Sequence, residues 1–456
     1  MPDSRTVRIA SGSGFWGDLP RAPIDQARRG PIDYLVLDYL AEVTMSILKK
    51  QRRRNPDAGY AADFVEIVRE LLPDLMEGKF KILANAGGVN PEGCAEAILA
   101  VAREAGVRGL KVGVVTGDDL LDDLDRVLES GAELRHLETD LPVVEVQDRL
   151  VAANAYTGAG AVAEALAGGA HVVVTGRVAD PSLTLAACVH EFGWALDDWD
   201  RMAAGTVAGH LLECGAQASG GNFTDWQYVP NFADIGFPIC EVEASGDFTV
   251  TKHDGTGGLV SRATVAEQLV YEIGDPQNYR SPDVTVDFTT LALDDLGGDR
   301  VRVTGVTGKP ATDHYKVSAS YADGYKATST LVYSWPDAAA KAFHAGQIIQ
   351  QRLDALGLRF DAFRAEVIGA GALLEHPELA DDHGDLDEVM LRVSARGQKR
   401  EDVARFAQEI VPLILTGPGG VTGYAGGRAK PSSVLAYWPA LVPKNLLAPK
   451  AVVVES

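Results

Sequence analysis

Thiols are scarce in this chain and positive charge is the minority sign. The four cysteines, Cys94, Cys188, Cys214 and Cys240, show no Cys-x-x-Cys spacing. They are too sparse for a disulfide scaffold, and reduced thiols in a cytoplasmic protein are the expectation. No run of about 18 continuous apolar residues offers a membrane span. The opening Met-Pro-Asp-Ser-Arg holds no apolar signal core. Lys and Arg total 42 against 64 Asp and Glu, a net charge of −22. That balance argues against a nucleic-acid binder and against an anionic membrane surface. The clearest basic run, Lys49-Lys-Gln-Arg-Arg-Arg54, closes an expected helix. It reads as a solvated helix end favoured by the dipole, or as a docking patch for a phosphate-bearing ligand.

With 456 residues, 46% of them hydrophobic, the chain has material for more than one domain. Its first half alternates apolar strands with helices. Strands are expected at 7–10, 32–38, 81–85, 111–115 and 171–175, with helices at 41–50, 62–77, 91–105, 118–130, 158–168 and 182–193. Val-, Ile- and Leu-rich strands between helices predict a mostly parallel sheet covered on both faces. Near residue 237 the pattern changes to period-2 strands: 239–243, 248–250, 284–288, 301–304, 315–321 and 327–333. Helices at 337–356 and 400–415 and strands at 363–368 and 389–394 complete the chain. The expected architecture is therefore an α/β domain over 1–236 and an α+β, mixed-sheet domain over 237–456.

In parallel sheets ligands bind beyond the carboxyl ends of the strands. Those positions hold Ser13, Gly14 and Trp16 after the first strand, Asp38 after the second, and Asn85, Gly87, Gly88 and Asn90 after the third. Thr116-Gly-Asp118 and Thr175-Gly-Arg177-Val-Ala-Asp180 follow the next two. Gly12-Ser-Gly14-Phe-Trp-Gly17 with Asp38 fits the dinucleotide fingerprint in spacing, but Asp18-Leu-Pro-Arg-Ala-Pro23 suits a loop better than the helix it requires. Asn85–Asn90 offers amides to an oxyanion, or is a tight turn with Asn90 as helix cap and Pro91 next. Asp180 reads as a cap, and Arg177 as a bidentate group for carboxylate or phosphate.

The segment 205–218 carries the densest chemistry. At ~100° per helical residue, His210, Glu213, Cys214 and Gln217 share one stripe. Ser219-Gly220-Gly221-Asn222 then ends the helix. A buried polar stripe is the plain reading; general acid–base work by His210 or Glu213, or a Cys214 nucleophile, is the functional one. A single His-x-x-Glu falls short of the three protein ligands of catalytic zinc, so no metal is expected.

Several blocks together carry a resemblance: Ser13-Gly-Phe-Trp-Gly-Asp18, 33–45, Asn85-Ala-Gly-Gly-Val-Asn-Pro91, Thr175–Asp180, 209–217, Gly220-Gly-Asn222 and Tyr271-Glu-Ile-Gly-Asp-Pro276. In this order they resemble the acyclic terpene utilisation protein AtuA family. The resemblance implies a place in acyclic terpenoid catabolism, which runs through acyl-CoA thioesters. Larger members carry an extra C-terminal domain of roughly a hundred residues. This chain is expected to lack it, with either a small companion protein supplying it or this member serving another pathway.

The expected function is an enzyme of acyclic terpenoid or branched-chain acid metabolism, working on an acyl-CoA-like substrate by hydratase or lyase chemistry. His210, Glu213 and Cys214 are the candidate catalytic groups. Ser13, Gly14, Trp16, Asp38, Asn85, Gly87, Gly88, Asn90, Arg177, Gln217, Gly221 and Asn222 are the candidate binding groups. No cofactor is expected beyond a CoA thioester as substrate. The partners expected are a small acyl molecule and further copies in a homo-oligomer, with no nucleic acid and no membrane. Two other readings stay open: a non-catalytic subunit or scaffold of a multi-enzyme complex, and a nucleotide-dependent oxidoreductase using Gly12–Gly17.

Overall fold

Short strands made almost wholly of Val, Leu, Ile and Ala set the architecture, because such strands need cover on both faces. A computed structural model describes residues 5–372, 386–423 and 427–456. Five strands run parallel: β1 (Thr6–Ser13), β2 (Tyr34–Leu37), β3 (Lys81–Ala84), β4 (Lys111–Thr116) and, past the separate β5 (Leu150–Ala155), β6 (Val172–Thr175). Their order is β1-β2-β3-β6-β4. The helices among them are α1 (Ala22–Arg28), α2 (Glu42–Arg54), α3 (Ala62–Met76), α4 (Pro91–Glu104), α5 (Leu124–Glu129) and α6 (Gly160–Ala167). α7 (Ser182–Phe192) and α8 (Trp199–Glu213) follow. Phe64, Val68, Leu71 and Ile98 fill one core cluster; the other holds Val162, Leu166, Leu183 and Leu211. This is a mixed α/β fold.

The change of pattern near residue 237 marks a change of strand direction inside one sheet. β7 (Ile239–Glu243) pairs antiparallel with β1, Cys240 opposite Ile9, and β8 (Phe248–Thr251) pairs antiparallel with β7. After α9 (Arg262–Val270), β9 (Tyr279–Arg280) and β10 (Thr285–Asp287), the strands β11 (Ala292–Asp295) and β12 (Val301–Thr304) extend the same edge. The last strand, Lys450–Glu455, caps the far edge on β4, giving ten strands. β13 (Thr307–Lys309) joins β9 and β10 in a small antiparallel sheet. The compact unit therefore continues past 236: it comprises 1–320 and 437–456, and the second comprises 321–436.

The second unit is an antiparallel sheet with helices. β14 (His314–Ser334) is one strand of 21 residues where two were expected. Within the unit it pairs with β16 (Glu388–Gly397), which pairs with β15 (Ala362–Ile368). β17 (Val421–Thr422) adds to its other side, and β18 (Ser432–Pro443) leads back to the first unit. α10 (Ala338–Ala355) buries Ala342, Ala345 and Ile349, and α11 (Arg400–Ala407) buries Val403 and Phe406, in one cluster with Leu331 and Leu391. A short helix, α12 (Leu413–Thr416), ends the expected 400–415 helix as a separate turn.

Helix α8 lies inside the first unit, with Met202 to Leu212 continuously buried. Glycine makes this depth reachable. A Cβ on Gly209 would sit 2.4 Å from the Pro181 carbonyl oxygen, and one on Gly205 would sit 2.6 Å from Leu185 Cδ1. The two small positions bring α8 against α7 and deliver its last turn to the strand ends.

Candidate active site

The loops after β1, β2 and β6 and the end of α8 enclose one cavity of about 920 Å³ within the first unit. That volume lies in the range of small-molecule sites. Of the candidates named from sequence, Gly14, Asp38 and Arg177 line it from the strand ends. His210, Glu213, Cys214, Gln217, Gly221 and Asn222 line it from α8 and the chain beyond.

The α-helix stops at Glu213, earlier than the spacing predicts, and Gly215–Ser219 forms a tighter 3₁₀ turn. Gly215 (φ 57°) and Gly220 (φ 101°) take the left-handed conformation that ends each piece. Gln217 thus reaches the cavity from the tight turn and not from the helical stripe.

Six candidates lie outside the cavity wall and brace it or its neighbours. Ser13 Oγ donates to the Asp38 carbonyl at 3.1 Å and the Phe15 carbonyl at 3.0 Å. Trp16 Nε1 donates to Asp63 at 2.8 Å. Asn85 is fully buried: its Nδ2 donates to Asp38 Oδ1 at 2.6 Å, and its Oδ1 accepts from the Tyr39 amide at 2.7 Å. Gly87 is packed tight, since a Cβ there would sit 2.6 Å from the Thr175 carbonyl oxygen, and Gly88 turns at φ 55°. Asn90 caps α4, accepting from the Gly93 amide at 3.1 Å. The loop after β3 is a sealed turn, so its amides do not face this cavity. The loop after β4 has a similar bracing role: Asp118 Oδ2 accepts from the Arg177 amide at 2.8 Å and from Asn154 at 2.8 Å.

The glycine loop after β1 lacks the dinucleotide geometry. Helix α1 opens at Ala22, five residues beyond Gly17. The Asp18 carboxylate accepts from the Gly14 amide at 2.8 Å and the Leu19 amide at 2.7 Å. An acidic side chain therefore occupies an amide that a pyrophosphate would need. Among the described residues no group of three or more His, Cys, Asp or Glu is placed to hold a metal ion.

At the cavity floor, His210 and Glu213 form a pair. His210 Nε2 lies 2.9 Å from the Gln268 carbonyl oxygen, which only accepts, so that nitrogen carries hydrogen. His210 Nδ1 lies 2.8 Å from Glu213 Oε1, and one proton is shared across that contact. Burial is the largest single influence and works against the imidazolium, but the Glu213 charge and hydrogen bond, with the Gln268 carbonyl and the Glu272 charge, together raise the His210 pKa. Burial also raises that of Glu213 against the pull of His210. Glu213 Oε2 is buried and has no hydrogen-bond partner among the described residues. With both nitrogens of His210 engaged, the cavity meets the pair through Glu213.

Asp38 is held well above the usual carboxylate range by burial, then by the Asp180 charge. Arg177, 2% exposed, donates from Nη1 to the Leu40 carbonyl at 2.6 Å and pairs with Asp180 at 2.8 Å. Its guanidinium lies 4.1 Å from the centre of the Tyr156 ring, a cation–π contact. The Cys214 thiol is pushed up to about 12, first by burial and then by the Glu213 charge. A thiol so held is a poor nucleophile.

Sequence reasoning did not point to several other wall residues, Tyr156, Tyr271, Glu272, Tyr279, Arg280 and His314, and it read Lys316, a cationic group near a strand, as structural sooner than functional. Tyr271 and Glu272 stand in a block quoted above for the resemblance. The others follow β5, form β9 or open β14, and little in their local pattern announces a site.

Residues 7–453 match the family described as acyclic terpene utilisation family protein AtuA. No curated protein and no solved structure matches the chain. No described helix is long and apolar enough to cross a membrane.

Proposed function

The chain belongs to the acyclic terpene utilisation (AtuA) family, and on that premise we propose that it is an enzyme acting on an acyl-CoA-like derivative of an acyclic terpenoid or branched-chain acid. The reaction class is hydratase or lyase chemistry driven by proton transfer. One observation carries the reading: a buried carboxyl oxygen, Glu213 Oε2, stands unpartnered in the wall of the cavity while Oε1 is held by His210. Burying such a group without a partner costs free energy, which a site recovers when substrate supplies the partner.

In this reading Glu213 is the acid or base that meets the substrate. His210 is a positioning residue that shares its proton and fixes the carboxyl plane. Asp38, held by Asn85 and raised by burial, is the second proton-transfer carboxyl. Two carboxyls whose proton affinities are separately tuned allow one to donate while the other accepts. Arg177 orders the floor between Asp38 and Asp180. The Cys214 thiol takes no covalent role.

The test is turnover of a panel of branched and terpenoid acyl thioesters, followed by loss of substrate. Glu213→Gln is expected to lower turnover about 10²–10⁴-fold, the usual contribution of a positioned acid or base. His210→Asn is expected to lower it too and to shift the pH profile. Wild-type turnover by Glu213→Gln removes the proposal.

A further inference from the structure

We infer that the rim of the cavity is an anion subsite, which takes a phosphate or carboxylate carried at the far end of an extended substrate. The inference rests on the reading of the floor as the reacting end. Arg280 closes β9, and His314 and Lys316 stand two apart on β14, so they share one face of the strand. All three line the cavity and all three are exposed. In a chain with a net charge of −22, that concentration runs against the background.

The floor has the opposite character. Asp38 and Asp180 flank the Arg177 guanidinium, whose Nη1 is engaged by Leu40 and Asp180, and Glu213 stands in the same cavity wall. An anion placed there would meet the Asp180 charge, which already raises the proton affinity of Asp38 and Glu213. An uncharged acyl group fits the floor, and an anion fits the rim. Glu272 is the acidic residue of the rim, against the fixed charges of Arg280 and Lys316 and the added donor of His314.

Tyr156 joins the two ends. Its amide donates to the Lys316 carbonyl at 2.8 Å, and its ring takes Arg177 at 4.1 Å and the Lys316 ammonium at 4.9 Å. The rim lysine is therefore set against the same ring as the floor arginine. The ligand class is a neutral thioester or ester whose charge lies well away from the reacting carbon.

Equilibrium binding tests this without turnover, by titration calorimetry at low salt. Two probes carry the same branched acyl chain, as its CoA thioester and its N-acetylcysteamine thioester, and the third is the N-acetylcysteamine thioester of that chain extended to a terminal carboxylate. The CoA thioester is expected to bind about 10-fold or more tightly than the truncated neutral one, as complementary charge allows. Arg280→Ala with Lys316→Ala, and 0.5 M salt, are expected to bring that ratio toward one. Lys316→Gln, which keeps the side-chain stem, should lower the ratio as well, and urea midpoints confirm that each variant is folded. If the carboxylate-tailed probe gains and the CoA thioester does not, the anion is a carboxylate. Equal binding of all three, no binding by any, or a ratio indifferent to the variants overturns the inference. Failure of Glu213→Gln to affect turnover would overturn the proposed chemistry instead, so the two outcomes separate.

Discussion

Gly14→Ala is the sharpest probe of how the floor is set. A Cβ at this position would lie 2.6 Å from the Gly215 nitrogen, 2.7 Å from the Cys214 carbonyl carbon and 3.1 Å from the Glu213 oxygen. Carbon contacts settle at about 3.5–4.0 Å, so roughly 1 Å of separation is missing. The opposing atoms are all backbone, and no rotamer change relieves the clash. Overpacking of this kind costs about 1–3 kcal/mol. The strain has two outlets. The β1 loop can move, loosening the 2.8 Å bond between Asp18 and the Gly14 amide; or the end of α8 can move, carrying Glu213 away from His210. A displacement of about 1 Å at a reacting group lowers rates roughly 100-fold. The assay is paired: urea midpoints for stability and acyl thioester turnover for the site. Gly160→Ala is the control, because a Cβ there meets nothing within 4 Å. Its midpoint should be unchanged or higher. A Gly14→Ala protein with wild-type midpoint and turnover would refute the claim that contact between β1 and α8 places the carboxyl.

Asn85→Ala removes the 2.6 Å donor to Asp38 and the 2.7 Å acceptor for Tyr39, all in the interior. The Tyr39 amide is left unpaired, at about 1–3 kcal/mol, while Asp38 Oδ1 keeps the Leu40 amide at 3.1 Å, and urea melts should show that loss against wild type. With its pKa near 12, the Cys214 thiol is about one part in 10⁴ thiolate at pH 8, so iodoacetamide should modify it slowly in the native protein and quickly in urea, and Cys214→Ala should keep turnover. Burial pushes Asp118 up to about 7, above its unfolded value, so the folded state binds the extra proton. The stability tied to that proton is whole below about pH 4 and is lost as pH rises toward 7. His171, His190 and His253, lowered chiefly by burial, work the other way, so the comparison must be with Asp118→Asn. In thermal melts the variant should gain on wild type from pH 4 to 7 and then hold level; a constant difference contradicts the assignment.

The parallel strands were legible because chemistry at every position pointed inward, and β2 and β6 are buried throughout. Asp38 and Arg177 were legible because the ends of such strands are where side chains escape the sheet. Asn85 followed from the same rule but does a different job. A polar residue after a strand looks alike whether it faces a ligand or the next loop. Helix α1 was hidden by Pro20, which precedes its cap, and by Pro23, which sits in its first turn instead of breaking it. β14 read as two strands because Gly324 interrupts its pattern; there φ is 80° and the chain passes close to the Gly397 carbonyl. Residue 237 looked like a boundary because antiparallel and parallel strands differ in pattern, although both belong to one sheet. The rim was illegible for a longer-range reason. β9 has two residues, and nothing local to it announces the cavity it borders.

The clasp between α8 and α9 has a consequence in time. His210 Nε2 donates to the Gln268 carbonyl at 2.9 Å, and Gln268 Nε2 donates back to the His210 carbonyl at 2.9 Å. Each residue thus closes the other's access to water. The imidazole hydrogen on Nε2 trades with solvent only when its bond to the Gln268 carbonyl parts, and the return bond between the same two residues holds the helices against that opening. If Glu213 moves protons as proposed, its supply through His210 refills slowly from behind, and the fast route runs through the cavity side.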